Sequence, residues 1–220
     1  YNDLNTAAIY CWEAKDFDGA YKAWELYMSL PTNSELGDNA PKAPVDTVMS
    51  DIAYNQALAA WQGDKLENAN ASFKKAIQLG NNKKNVYDYA IAVAFQLGKS
   101  DEVNELAEAA YPLYGNEDVK YLQLIINNKI EKKQFDEART MLNNAIAAEP
   151  NNGNLYFVMG ILEENLNNND AALTNYRKAV ELDASNANYQ YNVGRSICNK
   201  AYAIDDSATK LSQEEYQKVR

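Results

Sequence analysis

A small residue, a bulky one and a second small one recur along this chain at nearly constant intervals. Ala172, Tyr176 and Ala179 form one set; before it come Ala138, Leu142 and Ala145, then Val103, Ala107 and Ala110. Ala69, Phe73 and Ala76 precede those, and Ala20, Trp24 and Tyr27 come first. The leading members lie 49, 34, 35 and 34 residues apart, and 49 is one period plus 15. A fixed period of this size marks a repeat architecture, in which one unit is too small to bury a core and stacking supplies it. No other feature of the chain limits its fold as tightly.

Each triplet sits on a helix-periodic segment preceded by another, as in "NLYFVMGILEENLNNND" and "DIAYNQALAAWQGDK". The turns between them carry Gly63-Asp64, Gly98-Lys99 or a run of asparagines, which is helix stop-and-restart chemistry. The unit is therefore helix A, tight turn, helix B, with no strand pattern. The small residues let two helices approach closely, and the bulky one fills the gap to the next repeat. A buried Phe or Leu there contributes about 1.5–3 kcal/mol.

This pattern resembles the tetratricopeptide repeat, with a small residue at position 8, Ala at 20, an aromatic at 24, Ala at 27 and Pro at 32. Position 8 reads Ala8, Ala57, Ile91, Ile126, Gly160 and Gly194, and position 32 is proline only at Pro150. Ile91, Ile126, Val103 and Ala107 depart from the family pattern. The resemblance implies an all-α fold, a right-handed α-solenoid of stacked helix-turn-helix repeats spanning 1–220 as a single domain. The repeats fall at about 1–34, 50–83, 84–117, 119–152 and 153–186, with a partial sixth from 187.

Two stretches interrupt the period. Residues 35–49 contain Pro41 and Pro44, which exclude a continuous helix, and Asp46 is the expected N-cap of the next one. This insertion reads as a surface loop or as a flap over one groove edge. After the first helix of the sixth repeat, residues 206–220 read as a loop near Asp206 to Lys210, then a truncated helix opened by a Ser212/Glu215 capping box. The chain begins at Tyr1 and ends in a helix-like run, as a fragment or processed product would.

The residue inventory offers little to catalysis. There is no histidine, the commonest general base and metal ligand. Asp136-Glu137, Glu163-Glu164 and Glu214-Glu215 are adjacent, so each pair diverges around its helix and reads as solvated charge. No phosphate-binding glycine loop or regular calcium loop occurs, and Cys11 and Cys198 give no metal spacing and read as buried thiols. An enzyme is not expected, nor are cofactors or a metal. A net charge of -10 disfavours nucleic acid, since the densest basic spots are pairs such as Lys74-Lys75 and Lys132-Lys133. Runs such as "AIAVAF" are far too short to span a membrane. No signal peptide is visible. The compartment is the periplasm or envelope if a leader has been removed and the cytoplasm otherwise, and the Asn-, Lys- and Tyr-rich composition suggests an AT-rich bacterial gene.

What remains is binding. In the family it resembles, positions 2, 5, 9, 12 and 13 of helix A line a concave groove that holds a peptide. Carried over, these place Asn5, Ile9, Trp12, Asp51, Tyr54, Leu58, Trp61, Asp88 and Phe95 on the groove, followed by Lys120, Gln123, Asn127, Phe157, Tyr191 and Arg195. Asn55 fits one slot of the clamp by which some members hold chaperone C-terminal tails. Its neighbours Asn5, Ile9, Asn85 and Tyr89 do not fit, so that ligand is rejected. Amides can pair with a peptide backbone, and Trp and Tyr bury large areas with few rotors. The plainer alternative for Trp12, Trp61 and Phe95 is packing against neighbouring helices. The expected partner is a protein or peptide segment. An envelope-assembly or glycan-binding component using exposed aromatics, and a homo-oligomer, are the other readings.

Overall fold

The computed structural model describes residues 1–115 and 117–209, and over 202–209 only the helix itself. Eleven α-helices are present among them: α1 (Asn2–Glu13), α2 (Phe17–Ser29), α3 (Asp46–Gln62), α4 (Leu66–Gln78), α5 (Lys84–Gln96) and α6 (Ser100–Tyr114). α7 (Lys120–Glu131), α8 (Phe135–Ala148), α9 (Gly153–Asn165), α10 (Asn169–Leu182) and α11 (Ala187–Thr209) follow. No strand occurs among the described residues. The fold class is an all-α solenoid of helix pairs. The chain forms two compact units, Tyr1–Leu124 and a second beginning at Ile125. In the first, α1 packs on α2, α2 on α3, and so on in series to α6; in the second, α8 packs on α9, α9 on α10 and α10 on α11.

The recurring triplets form the cores of these units. Ala20, Ala69, Phe73, Ala76, Ala107 and Ala110 are fully buried in the first, as are Ala138, Leu142, Tyr176 and Ala179 in the second. Ala145 is half-buried, and the other triplet members are at most 7% exposed. The position-8 residues Ala8, Ala57, Ile91, Ile126 and Gly160 are also buried. At Gly160 the approach is closest. An added Cβ would collide with the Tyr176 ring, which fills the space a side chain would need.

Five A-to-B turns share one geometry. Lys15, Asp64, Gly98, Lys133 and Asn167 all adopt positive φ, between 55° and 69°. In each turn the next residue's N–H donates back five residues, as Asp16 N does to Cys11 O (2.8 Å) and Asn168 N to Glu163 O (2.8 Å). These paired bonds satisfy the carbonyls left free at a helix C-terminus. In the Gly63-Asp64 turn Gly63 has φ −89°, and Asp64 carries the left-handed conformation. Aspartate and asparagine tolerate that region better than most side chains.

The 35–49 insertion forms a short 3-10 segment over Ser34–Asn39, then extended chain to α3. Val45, rather than Asp46, is the N-cap of α3. Its carbonyl accepts from Val48 N (3.0 Å) and Met49 N (3.1 Å), and Asp46 takes the first helical position, where its charge suits the helix dipole. At the other end α11 continues through Thr209, so the loop expected from Asp206 does not begin there. Nothing between Ala201 and Thr209 is Gly or Pro, and alanines there favour the helix. The rest of that expected loop and the capping box at Ser212 lie outside the described residues.

Candidate functional site

The first unit holds an apolar cleft of about 270 Å³ where α1, α2 and α3 meet. Ile9 and Trp12 come from α1, Trp24 from α2, and Asn55 and Leu58 from α3. Ile9 and Trp12 are three apart and Asn55 and Leu58 three apart, so each pair shares one helix face. Trp24 Nε1 donates to Asn5 Oδ1 at 2.9 Å, which fixes the indole with its polar edge paired and its apolar body against the cleft. Trp12 is braced from behind by Phe17, edge to face at 5.3 Å between centroids.

A second aromatic group lies on α3, α4 and α5. Tyr54 and Tyr89 stack within 9° of parallel at 6.5 Å, and Trp61 sits 5.5 Å from Tyr89, with buried Phe73 beneath both. Asn85 Nδ2 donates to Tyr54 Oη (2.8 Å), and Trp61 Nε1 to Gln96 Oε1 (3.4 Å). Burial, then the neighbouring Tyr89, pushes the Tyr54 hydroxyl above its ordinary pKa. Phe95, beside Gln96 on α5, is 63% exposed.

Asp88 and Lys120 face each other. Lys120 Nζ lies 2.7 Å from Asp88 and 3.1 Å from Asp118, while Lys84 Nζ lies 2.8 Å from Asp118 and 3.5 Å from Asp88. Tyr121 Oη also donates to Asp88 at 2.5 Å. Burial works to raise the Asp88 carboxyl, but the bonds from Lys120 and Tyr121 and the two lysine charges outweigh it and hold it low. This is a closed network, satisfied within the chain. Asp51 is similarly engaged, with Lys83 at 2.9 Å and Asn81 at 3.3 Å.

Of the other groove residues, Gln123 is half-buried at the end of the first unit. In the second unit Asn127 is exposed on α7, and Phe157 packs 5.1 Å from Tyr189 and 5.8 Å from Tyr176. Arg195 is paired with Glu164 at 2.5 Å, and Tyr191 stands 68% exposed. The cleft thus gathers Trp12 and Asn55, with Asn5 behind Trp24, while Tyr54 and Trp61 share Tyr89. Trp24 and Tyr89 were not among the residues expected to line a groove. Position 24 reads as core in every repeat, and only the breadth of an indole hints that one edge reaches a cleft.

The thiols differ from expectation. Cys11 is half-buried and Cys198 exposed. Cys198 sits on α11, with no following repeat among the described residues to cover it. Among those residues no three His, Cys, Asp or Glu side chains gather where a metal could sit, and no helix is long and apolar enough to cross a membrane.

Helix pairs in series, small-residue contacts and repeated left-handed turns define a helical-repeat protein of the interaction-scaffold class. A tetratricopeptide repeat family model matches residues 44–192, and the chain belongs to that family. Solved structures similar to it include a tetratricopeptide repeat protein from Parabacteroides merdae, 12% identical, with a TM-score of 0.61 over 94% of this chain and 77% of that one. A MamA protein is 17% identical, with a TM-score of 0.55 over 86% of this chain and 94% of its own. MamA from Desulfovibrio magneticus is 19% identical, with a TM-score of 0.53 over 77% and 92%. At these identities the likeness is one of fold. No curated protein matches the chain.

Proposed function

We propose that the chain is a non-enzymatic scaffold that holds a segment of another protein, seating one bulky apolar side chain of that segment in the α1–α2–α3 cleft. The observation that carries this is the cleft itself: Ile9, Trp12, Trp24 and Leu58 form its apolar walls, and Asn55 is its one polar lining residue. At about 270 Å³ it falls just below the range of roughly 300–1,000 Å³ typical of whole small-molecule sites. It therefore suits a single side chain of a longer ligand, with Asn55 placed to pair with that ligand's backbone. Asp88 and Lys120 neutralise each other and are not needed for capture.

The test is selection of a random dodecapeptide library on the purified chain. Selected peptides share a large apolar residue, and Ile9→Asp weakens them at least tenfold, about 1.4 kcal/mol, with an unchanged circular dichroism spectrum. Ile9 is 45% exposed, so the substitution leaves the fold intact. Peptides that bind Ile9→Asp as well as the parent sink the assignment. The exposed Phe95 and the Tyr54–Tyr89 stack favour a second reading, a glycan-binding envelope component. Tryptophan fluorescence that responds to oligosaccharides and not to the selected peptides supports that one instead.

A further inference from the structure

Two walls of the α1–α2–α3 cleft run on into a carboxylate. On α1, Glu13 lies four residues beyond Ile9. On α3, Asp51 lies four before Asn55 and seven before Leu58. Each acid therefore shares the helix face that lines the cleft, and both are exposed. Glu13 is the last residue of α1, and no base stands in that last turn. An acid there opposes the helix dipole, so it does not serve the helix that carries it. Asp51 accepts from Lys83 (2.9 Å) and from the Asn81 amide (3.3 Å), both at Oδ1, which leaves Oδ2 without a partner among the described residues. The Lys83 pair is exposed on both sides, and pairs of that kind contribute little and exchange readily for another cation.

We propose that the partner segment is basic, with Lys or Arg on both sides of its apolar anchor, one for Glu13 and one for Asp51. This rests on the cleft as the seat of that anchor. The full set of charges around the cleft agrees. α1, α2 and α3 carry Asp3, Glu13, Asp18, Glu25, Asp46 and Asp51 against a single base, Lys22. Lys22 is committed to Asp18 at 2.7 Å, and Lys65, at the head of α4, bonds the same carboxylate. In the turn between α1 and α2, Lys15 and Asp16 balance, and in residues 30–45 Glu35 and Asp38 outnumber Lys42. Asp3, Glu13, Glu25 and Asp46 are thus left without a cation among the described residues, and the three helices offer no cation without an acid. An acidic segment meets only like charge there. A basic one is drawn in by the field and finds Glu13 and Asp51 beside its anchor.

Fluorescence anisotropy with three labelled dodecapeptides tests this. They are alike in Gly and Ser except for a central Phe, whose two neighbours on each side are all Lys, all Ser or all Glu. In about 0.05 M salt the Lys peptide binds the parent chain about fivefold tighter than the Ser peptide, and the Glu peptide binds most weakly. In about 1 M salt, where screening acts within about 3 Å, the three converge. Glu13→Gln combined with Asp51→Asn, both close in shape and exposed, abolishes the preference for Lys, with an unchanged circular dichroism spectrum. Three peptides that bind the parent alike, or a Lys preference that the double variant keeps, overturn the proposal. Ile9→Ser, which alters no charge, separates this from the cleft. If it weakens all three peptides the cleft stands whatever their ranking; if it weakens none, or none binds the parent, the cleft reading falls and this one with it.

Discussion

At the scale of single residues, the same side chain has opposite consequences at two glycines. Gly160 lies against the fully buried Tyr176, whose hydroxyl donates to Glu164 at 2.8 Å and so ties the ring in place. Gly160→Ala gains about 1 kcal/mol of helix propensity but overpacks the contact, at about 1–3 kcal/mol. The expected outcome in urea unfolding is a net loss of stability. At Gly194 nothing among the described residues lies within 4 Å of an added Cβ, so Gly194→Ala raises stability by up to about 1 kcal/mol. A stabilised Gly160→Ala means that the close approach is not a tight one.

Among elements, the A-to-B turn is the most uniform part of the molecule, and it shows what a sequence hides. The period was legible because it rests on side-chain volume: small residues at helix contacts and bulky ones between them cannot be exchanged freely. The turns rest on backbone conformation, which four residue types satisfy at five turns. Lysine, aspartate, glycine, lysine and asparagine all hold positive φ at one structural position. A glycine at that position costs least. Lys133→Gly is therefore expected to stabilise by about 0.5–1 kcal/mol, relieving left-handed strain. Gly98→Ala is expected to destabilise by about 1–2 kcal/mol for the same reason. Thermal unfolding of the pair checks both signs, and shifts in the same direction would mean that the turn conformation is not what they report. The groove was less legible still. Asp88 and Lys120, 32 residues apart, read as groove residues in the sequence, and only the fold shows them paired. Trp24 read as core and proved also to be a wall of the cleft.

For the whole molecule, the period speaks to one series of repeats, whereas packing divides the chain after Leu124. Repeat proteins gain stability from nearest-neighbour contacts, so damage spreads only as far as packing is continuous. Leu162 on α9 is fully buried in the second unit, where Arg139 of α8 also clasps the buried Glu163 of α9 through both carboxylate oxygens, at 2.8 and 3.0 Å. Leu162→Ala leaves a cavity there and costs about 2–5 kcal/mol. Native-state hydrogen exchange then distinguishes two outcomes. If the units open separately, amides of α9 and α10 lose protection by that amount while those of α3 and α4 keep theirs. Equal loss in all four helices makes the chain one cooperative body, and the division at Leu124 one of contact density alone. The first outcome is expected, because the cores around Phe73 and around Tyr176 are each built from side chains within their own unit.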